Sequence, residues 1–240
     1  MKSVRVGAGL GFYGDSWRPV RASIERGGVR YIASDHLSEL TLAILQKDRQ
    51  KDPAAGYARD GLPMLAELWP LAAKHGVKFI LNAGGLNPQG AREAIARTFR
   101  DKGWKATIAT VSGDSVMERL DELRAAGEPL AHLDTGAGLD TVRSRMLFAN
   151  AYLGAQPIVR ALEQGADIVL TGRVADAALS LAPLVHELAG AGTTGTSSLK
   201  GSPWATCWSA RARGRAAISA PRRSGPRSRT TPTSATRSRK

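Results

Sequence analysis

Gly165-Ala-Asp-Ile-Val-Leu-Thr-Gly172 is the stretch that decides how the rest of the chain is understood. A glycine able to close a helix precedes an apolar, largely β-branched run, and a second glycine follows where the chain must turn. Ile168 to Leu170 is too short for a helix and carries no polar residue. It is therefore expected to be a strand covered on both faces, as in a parallel sheet. The same kind of run recurs toward the N-terminus at Val4 to Val6, Val29 to Ala33, Val77 to Leu81 and Ala106 to Val111, giving five strands.

Between these runs the apolar residues change to helical spacing. Leu37, Leu40, Ile44 and Leu45 form one expected stripe, and Leu62, Leu65, Trp69 and Ala72 form another. Pro88 opens a helix carrying Ala91, Ile95 and Phe99, and Ser115 is placed to cap one that carries Val116, Leu120 and Leu123. Gly27, Gly76, Gly103, Gly127 and Gly165 stand where helices must stop. Strands alternating with helices predict an α/β fold, a doubly wound and mostly parallel sheet with helices on both faces. Two stretches interrupt the rhythm. Asp48 to Asp60 is expected as a loop long enough to form a lid, and Glu128 to Asn150 as an insertion or mobile excursion.

Charge divides the chain in two. The formal net charge is +13, yet residues 191–240 hold 11 of the 34 Lys and Arg and none of the 21 Asp and Glu. Residues 1–190 therefore set 23 basic groups against 21 acidic ones and are nearly neutral. A nucleic-acid reading, in which clustered cations replace counterions on phosphates, would rest wholly on the tail, which lacks interleaved aromatics for base stacking. The only cysteine, Cys207, also lies there, so the first 190 residues form no disulfide and no thiolate metal cluster. With no membrane-length apolar run and no signal-like start, a cytoplasmic protein without membrane partners is expected.

The tail, residues 191–240, is rich in Ser, Thr, Arg, Ala, Gly and Pro and is expected to be disordered. Codon arithmetic gives it a further meaning. Moving the frame one base earlier turns Ala205-Thr-Cys-Trp-Ser-Ala210 into Gly-His-Leu-Leu-Glu-Cys for suitable codons. The same shift turns Thr193-Thr-Gly-Thr196 into Asp-Asp-Trp-Asp and Ala216-Ala-Ile-Ser219 into Gly-Gly-Asn-Phe. The expected domain is thus residues 1–190, followed by a tail out of frame.

Candidate chemistry collects at the carboxyl ends of the expected strands, where open α/β sheets bind ligands. The first strand leads to Gly9, Gly11 and Gly14 in G-x-G-x-x-G spacing, with Asp35 about 20 residues on, which opens a dinucleotide-binding oxidoreductase as one alternative. Against it, Asp15 brings negative charge where a pyrophosphate would sit, and Pro19 places the helix start after Ser16. The third strand ends in Asn82-Ala-Gly-Gly-Leu-Asn-Pro88. There Asn82 and Asn87, with the backbone at Gly84 and Gly85, can hold a carbonyl or carboxylate, or serve only as turn and cap. The fourth and fifth strands end in Ser112-Gly-Asp114 and Thr171-Gly-Arg-Val-Ala-Asp176. Arg173 can clamp an anion bidentately or pair with Asp176; Asp15, Asp35, Asp114 and Asp176 are the candidate acid/base groups, with Ser16 and Thr171 as further substrate contacts. His36 and Glu39 flank the same strand end. No zinc site is expected, because no H-x-x-x-H or H-E-x-x-H spacing occurs; the carboxylates could instead hold a divalent cation, and the sequence names no cofactor.

Taken together, Gly11-Phe-Tyr-Gly-Asp-Ser16, Asp52-Pro-Ala-Ala-Gly-Tyr-Ala58, Asn82-Ala-Gly-Gly-Leu-Asn-Pro88, Ala149-Asn-Ala-Tyr-Leu-Gly-Ala155 and Thr171-Gly-Arg-Val-Ala-Asp176 resemble the N-terminal domain of the acyclic terpene utilisation (AtuA-like) family over about residues 4–188. The resemblance implies a bacterial catabolic setting, with an acyl-CoA or branched carboxylate as substrate. It also implies association with biotin-dependent acyl-CoA carboxylases, so a non-catalytic subunit or scaffold of such an assembly is the alternative to an enzyme. Family members continue beyond the point where this chain changes character, so the domain is expected to be truncated relative to them.

Overall fold

The computed structural model describes residues 3–188 and the backbone of residues 216–219; expectations for the remainder of the tail lie outside the described residues. Five parallel strands form the sheet: β1 (Ser3–Ala8), β2 (Tyr31–Ser34), β3 (Lys78–Leu81), β4 (Ile108–Val111) and β5 (Ile168–Thr171). A short β6 (Ala216–Ser219) adds an antiparallel edge beside β1. The order across the sheet is β4-β5-β3-β2-β1-β6. All five apolar runs of the sequence are strands, with ends shifted by at most two residues.

Seven α-helices are described: α1 (Arg18–Arg26), α2 (Glu39–Lys51), α3 (Gly61–His75), α4 (Pro88–Asp101), α5 (Leu120–Ala125), α6 (Gln156–Glu163) and α7 (Asp176–Leu188). Alternation along each strand divides the core. Ile32, Phe79, Leu81, Ile168 and Leu170 face one side, where α1, α3 and α4 supply Ile24, Leu65, Trp69, Ile95 and Phe99. Val4, Val6, Tyr31, Ile80 and Val169 face the other, under Ile158 and Val159 of α6 and Leu179 of α7. A strand buried on both faces needs no polar alternation, and this is why the runs are wholly apolar.

This winding fixes where a ligand can enter. The chain leaves β3 toward α4 on one face and leaves neighbouring β5 toward α7 on the other. Adjacent strands whose connections part to opposite faces open a crevice at their carboxyl ends. The β3 and β5 loops meet there so closely that a Cβ on Gly84 would lie 2.6 Å from the carbonyl oxygen of Thr171.

Three local expectations are corrected. On α2 the buried residues are Thr41, Leu42 and Leu45, whereas Leu40 is 71% and Ile44 41% exposed; packing uses a different stripe from the one that apolar spacing marked. Ser115 pairs with Asn150 in a bridge instead of capping a helix, and a 3-10 turn over Met117–Arg119 precedes the short α5, on which only Leu120 is buried. The expected lid is shorter and pinned, because α2 runs on to Lys51. Asn87 Nδ2 donates to the carbonyls of Ala54 and Ala55 (3.0 Å each), and Leu86 N donates to Gly56 O (2.8 Å).

Candidate functional site

At the β3/β5 crevice the side chains build outward from Asn82, which is fully buried at the end of β3. Its Oδ1 accepts the N–H of His36 (2.6 Å), and its Nδ2 donates to Asp35 Oδ1 (2.6 Å). Leu37 N also donates to that oxygen (3.2 Å), so two bonds fix the Asp35 carboxyl by one oxygen and leave Oδ2 outside them. Burial pushes the Asp35 pKa up. The Asn82 and Leu37 bonds pull it down and nearby Asp176 pushes up again, with the net shift upward.

Arg173 lies opposite, on the loop after β5, and is only 5% exposed. Its backbone N–H donates to Asp114 Oδ2 (2.7 Å), which also accepts Asn150 Nδ2 (2.8 Å). Asp114 thus braces the β5 loop, and Gly172 lets it do so: a Cβ there would lie 2.5 Å from both Asp114 oxygens. The Arg173 guanidinium donates from Nη1 to Asp176 Oδ1 (3.0 Å), while Nη2 stands 3.7 Å from Glu39 Oε1. Among the described residues its Nε–H has no hydrogen-bond partner. The Tyr152 ring covers the guanidinium, centroid 4.2 Å from Cζ, and the Tyr152 hydroxyl donates to Glu39 Oε1. That bond, more than the distant Arg173, holds the Glu39 carboxyl below its ordinary range.

Asp35, Asn82, Asp114, Thr171, Arg173 and Asp176 are thus gathered around one crevice. Thr171 is fully buried, and its hydroxyl donates to Gly172 O (2.9 Å). Asn87 is committed elsewhere: its Oδ1 accepts Gly90 N (2.9 Å) as the cap of α4, while its Nδ2 pins the 52–60 loop. Gly84 and Gly85 serve close approach, since a Cβ on Gly85 would lie 2.8 Å from Gly56 O. Asp15 and Ser16 bond within their own loop, Asp15 accepting from Gly11 N (3.1 Å) and Ser16 N (2.7 Å).

The glycine loop is not arranged to receive a pyrophosphate. Besides Gly11, Leu10 N donates to Ser34 Oγ (2.8 Å) and Gly14 N to Asp60 Oδ2 (2.7 Å), and α1 begins only at Arg18. Asp60 also accepts from His36 Nδ1 (2.9 Å), whose Nε2 meets Ser34 Oγ (2.9 Å). Burial alone would raise Asp60, but the His36 bond and the Gly14 and Gly61 N–H groups outweigh it and hold the carboxyl below its ordinary range. The order serine, histidine, aspartate is that of a nucleophilic triad. Ser34 and His36 are nevertheless fully buried, and a Cβ on Gly9 would lie 2.4 Å from Ser34 Cβ, so the loop seals the set. It acts as a bolt joining the β1 loop, the end of β2 and the start of α3.

A groove of about 480 Å³ runs beside the crevice over the β4 end, lined in part by Leu86, Ser112, Asp114, Leu147, Phe148 and Asn150. A second hollow of about 600 Å³ lies by the start of α4 and includes Tyr57, Arg59, Asn87 and Arg97. Among the described residues no three His, Cys, Asp or Glu side chains converge to hold a metal ion, and no helix is long and apolar enough to cross a membrane. Sequence reasoning did not find Tyr152, Asn150, Ser34 or Asp60. The only signal for the first two was their place in Ala149-Asn-Ala-Tyr-Leu-Gly-Ala155; for Ser34 and Asp60 there was none, since each matters only through a partner distant along the chain or hidden by folding.

No curated protein and no solved structure matches the chain. The family model described as "Acyclic terpene utilisation family protein AtuA" matches residues 4–191, and the chain belongs to the acyclic terpene utilisation family.

Proposed function

We propose that the chain is a catabolic enzyme of acyclic terpenoid degradation that performs acid/base chemistry on a branched acyl-CoA or carboxylate at the β3/β5 crevice. Family membership supports the terpenoid setting. The observation that carries the acid/base role is the Asp35 carboxyl, half-buried, anchored through one oxygen, and raised in pKa by burial and by Asp176. A carboxyl so raised takes and returns protons nearer neutral pH than an ordinary aspartate does.

Each neighbour then has a part. Asn82 orients Asp35 without touching substrate, because both ends of its amide are bonded within the protein. Arg173 holds the anionic group of the substrate, and Asp176 fixes the guanidinium through Nη1. Asp114 places Arg173 by its backbone. The adjoining groove, with Leu86, Leu147 and Phe148 in its wall, takes the branched hydrocarbon. Solvent-hydrogen exchange into a branched acyl-CoA, compared between the unaltered chain and Asp35→Asn, tests the assignment; exchange that survives the substitution removes Asp35 from the chemistry.

A further inference from the structure

The guanidinium of Arg173 has an edge that the protein leaves without a good partner. Nη1 is taken by Asp176 at 3.0 Å, but Nε has no hydrogen-bond partner among the described residues, and beyond Asp176 the guanidinium meets only the exposed pair of Glu39, whose Oε1 is 3.7 Å from Nη2, and the Tyr152 hydroxyl. Nε and Nη2 lie on the same side of the guanidinium, spaced to receive both oxygens of one carboxylate. A buried arginine donor left unbonded costs free energy, so this edge is kept open against a penalty.

What covers it is weakly held. Glu39 is the first residue of α2, and its side chain is 74% exposed; Tyr152, whose ring roofs the guanidinium, is itself 55% exposed. The two are joined by the Tyr152 hydroxyl bond to Glu39, so they form one latch made from α2 and the segment between α5 and α6. Every carboxylate near Arg173 has a described part in this arrangement: Asp176 on Nη1, Asp114 on the Arg173 backbone N–H, Asp35 on Asn82, and Glu39 on the latch.

We propose that the Nε/Nη2 edge of Arg173 is a carboxylate-binding subsite, and that Glu39 with Tyr152 is an internal competitor that a ligand carboxylate displaces. The inference rests on the reading of this crevice as a ligand site and narrows its ligand to molecules carrying a free carboxylate. Displacement exchanges a long, exposed ion pair for a bidentate one, and Tyr152 can stack on the guanidinium again once the carboxylate is seated.

The test is calorimetric titration of the full chain with 3-methylbutanoate and, separately, with its amide. The carboxylate should bind and the amide should not. Glu39→Gln should tighten carboxylate binding about fivefold, the worth of an exposed ion pair removed as competitor. Tyr152→Phe should tighten it in the same direction by about twofold to fivefold, because the latch loses its hydroxyl while the stacking ring remains. Arg173→Lys, which keeps charge but loses the edge, should weaken it at least about tenfold. Glu39 and Tyr152 are surface residues, so their variants decide the matter even if Arg173→Lys does not fold. Unchanged affinity in Glu39→Gln, no carboxylate binding at all, or equal binding of the amide overturns the proposal. Carboxylate binding that responds to Glu39→Gln, with no isotope exchange in any variant, sustains this subsite while removing the acid/base role of Asp35.

Discussion

Asp35 is the residue on which stability and proposed chemistry pull in opposite directions. Its carboxyl is raised in the folded chain, first by burial and then by Asp176. The folded state therefore holds the proton more firmly than the unfolded one. The stability this supplies is fully present below the ordinary aspartate value of about 3.9 and is lost as pH rises through the folded value. Asparagine at this position cannot titrate. It also keeps both anchoring bonds, because Leu37 N and Asn82 Nδ2 donate to the same oxygen, Oδ1. Asp35→Asn should accordingly melt at a higher temperature than the unaltered chain at pH 7, with the difference closing toward pH 4. Thermal unfolding followed at both pH values checks this, and a variant less stable at pH 7 would refute the assignment of strain to Asp35.

Among the elements, α2 shows most plainly what pattern alone misses. Leu40 and Ile44 share helical spacing with the core-facing residues, yet they point outward, while Leu45 is fully buried against Leu42 and Phe148. Leu45→Ala should cost about 2–5 kcal/mol in chemical denaturation, whereas Leu40→Gln should stay within about 0.5 kcal/mol. Equal losses would mean that the α2 face is covered in solution by something else. The strands were legible because a short apolar run between glycines has few alternatives once helices flank it. The helix stripe was only half legible, since spacing says which residues share a face and not which face is buried. Asp35, Asn82, Arg173 and Asp176 were legible by position at strand ends. Glu39 was legible in the same way, but its partner Tyr152 was not: the two are separated by 113 residues, and only folding brings them together.

For the molecule as a whole, Glu187 is the residue that ties the end of α7 back to the sheet. It is buried on α7, accepts the Tyr31 hydroxyl (2.8 Å) and pairs with Arg30 Nη1 (2.9 Å) across the sheet's amino end. A residue that closes a buried bond 156 positions away fits the frame of its partners, and no acid follows it. We therefore expect a change of reading frame close to Gly190, which sequencing across codons 185–200 will reveal; an unbroken frame encoding the same tail in closely related genes would exclude it. On that basis the charge of +13 says little about ligands, and the nearly neutral α/β domain says more. The winding that sends β3 and β5 to opposite faces puts Asp35 and Arg173 on either side of one crevice, and the central claim is that this crevice moves protons on a branched acyl group. The most direct measurement is deuterium incorporation from D2O into 3-methylglutaryl-CoA, a branched acyl-CoA that carries a free carboxylate, read by mass spectrometry. The unaltered chain should exchange hydrogen, and Asp35→Asn should lose at least about 100-fold in rate; equal exchange by both proteins, or exchange by neither, would contradict it.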